Sequence, residues 1–130
     1  MKFMLMMHAP RGSGGWDVMS WPPKAIQDHM AHMERLYKDL QEAGQLVDAQ
    51  GLAPPSDARI VRASAGGKPE VTDGPFAEAK EFLAGYWIVD VASKDEAYAI
   101  AARSSMAPGK DGKPLHLAIE IREVLSAPNV

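Results

Sequence analysis

The run Asp73-Gly74-Pro75-Phe76-Ala77-Glu78-Ala79-Lys80-Glu81 separates Glu70-Val71-Thr72 from Tyr86-Trp87-Ile88-Val89, two segments with the β-branched and aromatic content of strands. Asp-Gly-Pro sets a turn, because aspartate bonds its own backbone, glycine accepts unusual dihedrals and proline fixes φ. One aromatic ring and four ionisable groups sit in these nine residues, more chemistry than a simple connection needs. Upstream, Arg59-Ile60-Val61-Arg62 and Glu70-Val71-Thr72 flank Gly66-Gly67 and predict a small hairpin arm. Tyr86 to Val91 then reads as a main strand that the turn feeds.

Working outward, Phe3, Leu5 and Met7 alternate with Lys2, Met4 and Met6, the pattern of a buried strand. Ala9 to Pro23 is a Pro/Gly loop carrying Trp16, Met19 and Trp21. Pro22 and Pro23 open a helix, since a first turn has amide positions without partners. Ile26, Met30, Met33, Tyr37 and Leu40 form its apolar stripe, and Gly44 ends it. Leu46 to Ala49 is a second strand. Ser93-Lys94-Asp95-Glu96 is a capping box for a helix running to about Arg103. After a loop with Pro108, Gly109, Gly112 and Pro114, a last strand puts Leu115, Leu117, Ile119 and Ile121 on one face. The opposite face carries His116, Glu120 and Arg122.

The order β-α-β, hairpin arm, β-α-β predicts an α+β, ferredoxin-like domain spanning residues 1–130. Two helices cover one face of a four-stranded antiparallel sheet. The other face would carry some of Phe3, Met4, Met6, Trp87, Val89 and Leu117, and a homodimer packing sheet on sheet would hide it.

With 130 residues, 46 % of them hydrophobic and 24 % charged, the chain has ordinary globular composition. A net charge of −3 argues against direct nucleic-acid binding. The absence of cysteine excludes disulfides and thiolate chemistry. The apolar amino-terminal run is too short for a signal sequence, and nothing approaches membrane-spanning length, so a soluble cytoplasmic protein is expected.

Asp73 reads in two ways: as a carboxylate that orients or deprotonates a histidine, or as an Asx-turn accepting amide protons from Phe76 or Ala77. His29 flanks the apolar stripe and reads as an acid/base or as a half-buried, hydrogen-bonded ring. His32 points farther away. His29, His32 and Asp28 have the spacing of a partial zinc site, short of a third ligand such as His8 or Asp73; no metal is assigned. Phe76, Glu78 and Lys80 are candidate ligand contacts, the charged ones equally a solvated face. Trp16, Met19 and Trp21 form either a lid or a loop anchor, and methionines such as Met33 either line an adaptable cavity or fill a core.

The chain resembles the YCII-related superfamily, and specifically its DGPF branch, whose run is Asp-Gly-Pro-Phe-Ala-Glu-Thr-Lys-Glu. Eight of the nine letters stand at Asp73–Ala77, Glu78, Lys80 and Glu81, with Ala79 in place of the threonine. Ala43-Gly44, Gly85-Tyr86-Trp87-Ile88-Val89-Asp90 and Asp95-Glu96-Ala97 extend the similarity. The resemblance implies a dimeric α+β barrel. It also implies two functional settings. Some relatives in the superfamily look like small lyases or dehalogenases using a histidine–aspartate pair, for which the nearest histidines here are His29 and His32, with Asp73 as the aspartate. Genes of the DGPF branch often neighbour those for extracytoplasmic-function sigma factors, which implies a regulatory or adaptor role. Without a phosphate loop or dinucleotide fingerprint, the expectation is a pocket for a small organic molecule and proton transfer without a cofactor.

Overall fold

The computed structural model describes residues 1–11 and 18–128. Six strands and two α-helices follow in chain order, besides short 3-10 turns at Val18–Ser20 and Pro55–Asp57: β1 (Lys2–Pro10), α1 (Pro23–Glu42), β2 (Leu46–Gly51), β3 (Arg59–Ala63), β4 (Pro69–Asp73), β5 (Glu81–Asp90), α2 (Lys94–Ser105) and β6 (Ile119–Glu123). The main sheet has the order β2-β5-β1-β6 with every pairing antiparallel, which is the ferredoxin-like arrangement. β3 and β4 form a separate two-stranded sheet, the expected arm, with Val61 opposite Val71 and both exposed.

Each helix is bounded by the chemistry its sequence announces. Proline stands at the start of α1, while Gly44 leaves the helix at φ +70°. There Gly44 N–H donates to Gln41 and Gln45 N–H to Leu40, a Schellman ending. Ser93 Oγ accepts from Glu96 N at 3.3 Å, and the Glu96 carboxylate reaches back to Ala92 N at 2.9 Å. One orphan amide of the first turn of α2 and the amide just before its N-cap are thereby satisfied.

The core lies between the helices and one face of the sheet. Leu5, Leu36 and Val89 are fully buried, joined by Phe3, Leu40, Trp87, Ile100 and Ala101. Among the side chains expected on the uncovered face, Phe3, Trp87 and Val89 therefore lie on the helix side. Register explains this: Phe3 pairs with Val89 and Leu5 with Trp87, so all four project together into the core. Met4 and Met6 do occupy the open face, beside Tyr86 and Ile88. Polar groups surround them: Asp48 and Gln50 on β2, Glu120 and Arg122 on β6.

Two further expectations are corrected. The last strand starts at Ile119, because His116 adopts φ +50° and breaks the extended run; Leu115 and Leu117 bond instead to the carbonyls of Ala107 and Ser105. The stripe of α1 is also displaced. Ala25, Leu36 and Leu40 are its buried residues, whereas Met30 and Tyr37 are exposed, since a hollow lies beneath that part of the helix.

Candidate functional site

The hollow is a partly open cavity of about 520 Å³ between α1 and the helix side of the sheet. Ligand pockets commonly have roughly 300–1,000 Å³. Met7, Ala49 and Trp87 form its floor, His29, Met33 and Tyr37 project from α1, and Trp21, Leu115 and Leu117 close it from the flanking loops. The local sequence builds each wall. In the floor Gly85 permits close approach: an added Cβ would stand 2.8 Å from the Gln50 carbonyl oxygen and 3.0 Å from the Met7 methyl. Leu115 rests on Gly109, where a Cβ would come within 2.6 Å of its Cδ2. Beneath Trp87, the indole N–H donates to Ser104 Oγ at 3.2 Å, and Ser104 Oγ lies 3.6 Å from Met7 Sδ. Ser104 is buried, so this link fixes both floor residues to α2.

His29 is the titratable group with the most defined surroundings. Its Nδ1 lies 2.9 Å from the carbonyl oxygen of Pro108. A carbonyl only accepts, so in the neutral ring Nδ1 carries the proton and Nε2 keeps its lone pair. Trp21 packs edge-on against the imidazole, with centroids 5.5 Å apart and planes at 88°. The ring is thus fixed in orientation and in tautomer. His32 is similarly committed, its Nε2 lying 2.8 Å from the Arg103 carbonyl oxygen. His32 joins α1 to the carboxyl end of α2, together with an Arg103–Asp39 ion pair at 2.7 Å, and His29 joins it to the loop that follows.

The other expected site residues are distributed unevenly. Met33 lines the cavity with His29. Asp73 ends β4 and pairs with Arg59 across the arm at 3.6 Å, its side chain 95 % exposed. It is not among the cavity walls, so one protomer does not bring His29 and Asp73 together. Phe76, Glu78 and Lys80 are exposed on the following turn. Trp16 lies outside the described residues. The turn itself is held by Arg11, whose Nη1 donates to the carbonyls of Phe76 at 3.0 Å, Ala77 at 3.2 Å and Ala79 at 3.4 Å.

Sequence reasoning passed over Pro108, because its contribution is a backbone oxygen that any residue possesses. It also passed over Leu115 and Leu117 as cavity walls, by reading them into a strand; Pro114 beside Gly112 was the available warning. On the open face, His8 pairs with Glu120 at 2.9 Å. Tyr86 donates to Asp48 Oδ2 at 2.9 Å, and this bond to a carboxylate, with burial and the charge adding to it, raises the tyrosine pKa. No group of three or more His, Asp or Glu side chains able to share a metal ion occurs among the described residues. No helix among them is long and apolar enough to cross a membrane.

A family model described as the YCII-related domain matches residues 1–110. An uncharacterized protein of Rhizobium meliloti (strain 1021) is 37 % identical over 93 residues, which cover 72 % of this chain and 74 % of that protein. On this match across most of its length, the chain belongs to the YCII-related domain family.

Proposed function

We propose that the protein binds a small organic molecule in the cavity beneath α1 and exchanges a proton with it through Nε2 of His29. The observation that carries this reading is the His29–Pro108 hydrogen bond. It fixes the ring at Nδ1 and leaves Nε2 as the nitrogen open to a ligand. A carbonyl here takes the orienting role that a carboxylate takes in many acid/base pairs. The chemistry is lyase-like proton transfer without a cofactor, and Met33 and Trp21 are contacts for the ligand's apolar part.

Asp73, Phe76, Glu78 and Lys80 enter this reading as groups that a second copy of the chain would have to carry towards the cavity. A homodimer is part of the proposal: Met4, Met6 and Ile88 lie on the sheet face turned away from the helices, Met6 buried and the other two half-buried, and a second copy packed there would complete their cover. The near-complete Asp73–Glu81 run supports placement in the DGPF branch, and the cysteine-free chain suits a cytoplasmic setting.

The test is a small-molecule binding screen by ligand-observed NMR on the wild-type protein and on His29→Ala. Hits that bind the wild type and lose about tenfold or more in affinity with the variant are expected. Hits unaffected by His29→Ala would remove the histidine from the site. An empty screen, joined to co-purification of a sigma factor, would favour the adaptor role instead.

A further inference from the structure

All 14 lysine and arginine residues lie within the described part of the chain, because positions 12–17 and 129–130 contain none. None of them lines the cavity. Among the described residues the ionisable walls are His29, Glu34, Tyr37 and Tyr86; Glu34 already pairs with Lys38 at 3.2 Å, and the Tyr86 hydroxyl is given to Asp48. Two cavity walls, Leu115 and Leu117, donate to the carbonyls of Ala107 and Ser105 at the carboxyl end of α2. A helix carboxyl end carries partial negative charge. An anion arriving while His29 is neutral would lose its hydration against methionine, tryptophan and leucine side chains, with no cation among the described walls to compensate it.

Nε2 of a neutral His29, in a ring fixed by its Nδ1 bond, is an acceptor. It therefore favours a partner that brings a hydrogen-bond donor. Trp21, Trp87, Met7 and Met33 supply surfaces suited to a flat apolar ring. From these observations we infer that the cavity selects uncharged ring compounds bearing one acidic hydroxyl, of the phenol or enol class, and rejects carboxylates and phosphate esters. The inference rests on the proposed ligand site and specifies its substrate class. In the proton-transfer step the hydroxyl O–H bond breaks, its proton passes to Nε2, and the electron pair stays on the ligand oxygen.

Three probes of nearly one shape separate the claims: para-ethylphenol, para-ethylbenzoate and para-ethylanisole, titrated by calorimetry at about pH 8, above the ordinary imidazole range. The phenol is expected to bind at least tenfold more tightly than the benzoate and severalfold more tightly than the anisole, which has no donor. His29→Ala should bring the phenol down to the level of the anisole. His29→Leu, which keeps much of the side-chain volume and carries no acceptor, serves the same purpose should the alanine variant fail to give a native NMR spectrum. Benzoate binding equal to or tighter than phenol would overturn the charge exclusion while leaving the ligand site standing. Anisole binding equal to phenol would overturn the donor requirement. If all three fail to bind up to their solubility, both the substrate class and the underlying site reading fall.

Discussion

Nδ1 of His29 and the carbonyl oxygen of Pro108 are held 2.9 Å apart, although 79 residues separate them in the chain. The contact joins the first helix, at a wall of the cavity, to the loop after the second. In the neutral state His29 should populate the tautomer protonated at Nδ1. Nitrogen-15 chemical shifts of the histidine rings read this directly, and a dominant Nε2-protonated form would contradict the geometry.

Ser104 is the buried acceptor for the Trp87 indole. Ser104→Ala should leave that N–H without a partner and destabilise the protein by about 1–3 kcal/mol. Chemical denaturation followed by tryptophan fluorescence measures the loss. An unchanged midpoint would mean that the bond contributes nothing net.

Gly85 lies where β5 is paired on both sides, next to the register shift between Met7 and His8. A methyl group there meets backbone at 2.8 Å, which cannot move cheaply. Gly85→Ala should cost about 1–3 kcal/mol. At Gly109 the obstacle is only the tip of Leu115, so Gly109→Ala should change stability less and displace Leu115 instead, altering ligand affinity. Thermal melts and probe titration on the two variants distinguish these outcomes.

Tyr86 has its pKa raised by the bond to Asp48. The phenol form is favoured by folding, so this contribution is present below the unfolded value near 10 and is lost as pH rises through the higher folded value. Asp48→Asn should move one tyrosine towards the ordinary range in an ultraviolet titration. Tyr86→Phe should abolish the same late step, and a late step surviving in Tyr86→Phe would assign it elsewhere.

Arg11 donates to three carbonyls of the 76–79 turn through one nitrogen. Arg11→Ala should make this turn more sensitive to limited proteolysis, with little change in global unfolding because the arrangement is exposed. Equal cleavage rates in variant and wild type would show that the turn holds its shape without the guanidinium.

The order of elements was legible because strand alternation, the prolines before α1, Gly44 and the Ser93 box are local signals. Which sheet face each strand residue occupies was less so, since nearly every residue of β1 is apolar and gives no phase. Met30 and Tyr37 followed the helical period yet line a hollow, and periodicity alone does not distinguish a packed neighbour from an empty one. His29 stood out by residue type. Its partner was invisible in advance, because nothing in the side chain of Pro108 announces a carbonyl oxygen aimed at an imidazole.

The β3–β4 arm makes no ladder with the main sheet, and its tip from Ser64 to Lys68 closes on itself through a 2.8 Å backbone bond. Lengthening or trimming that tip would leave the register of the large sheet untouched. It is therefore a natural port for an epitope or a fluorophore, where a reporter can be spliced in without disturbing the chamber under α1.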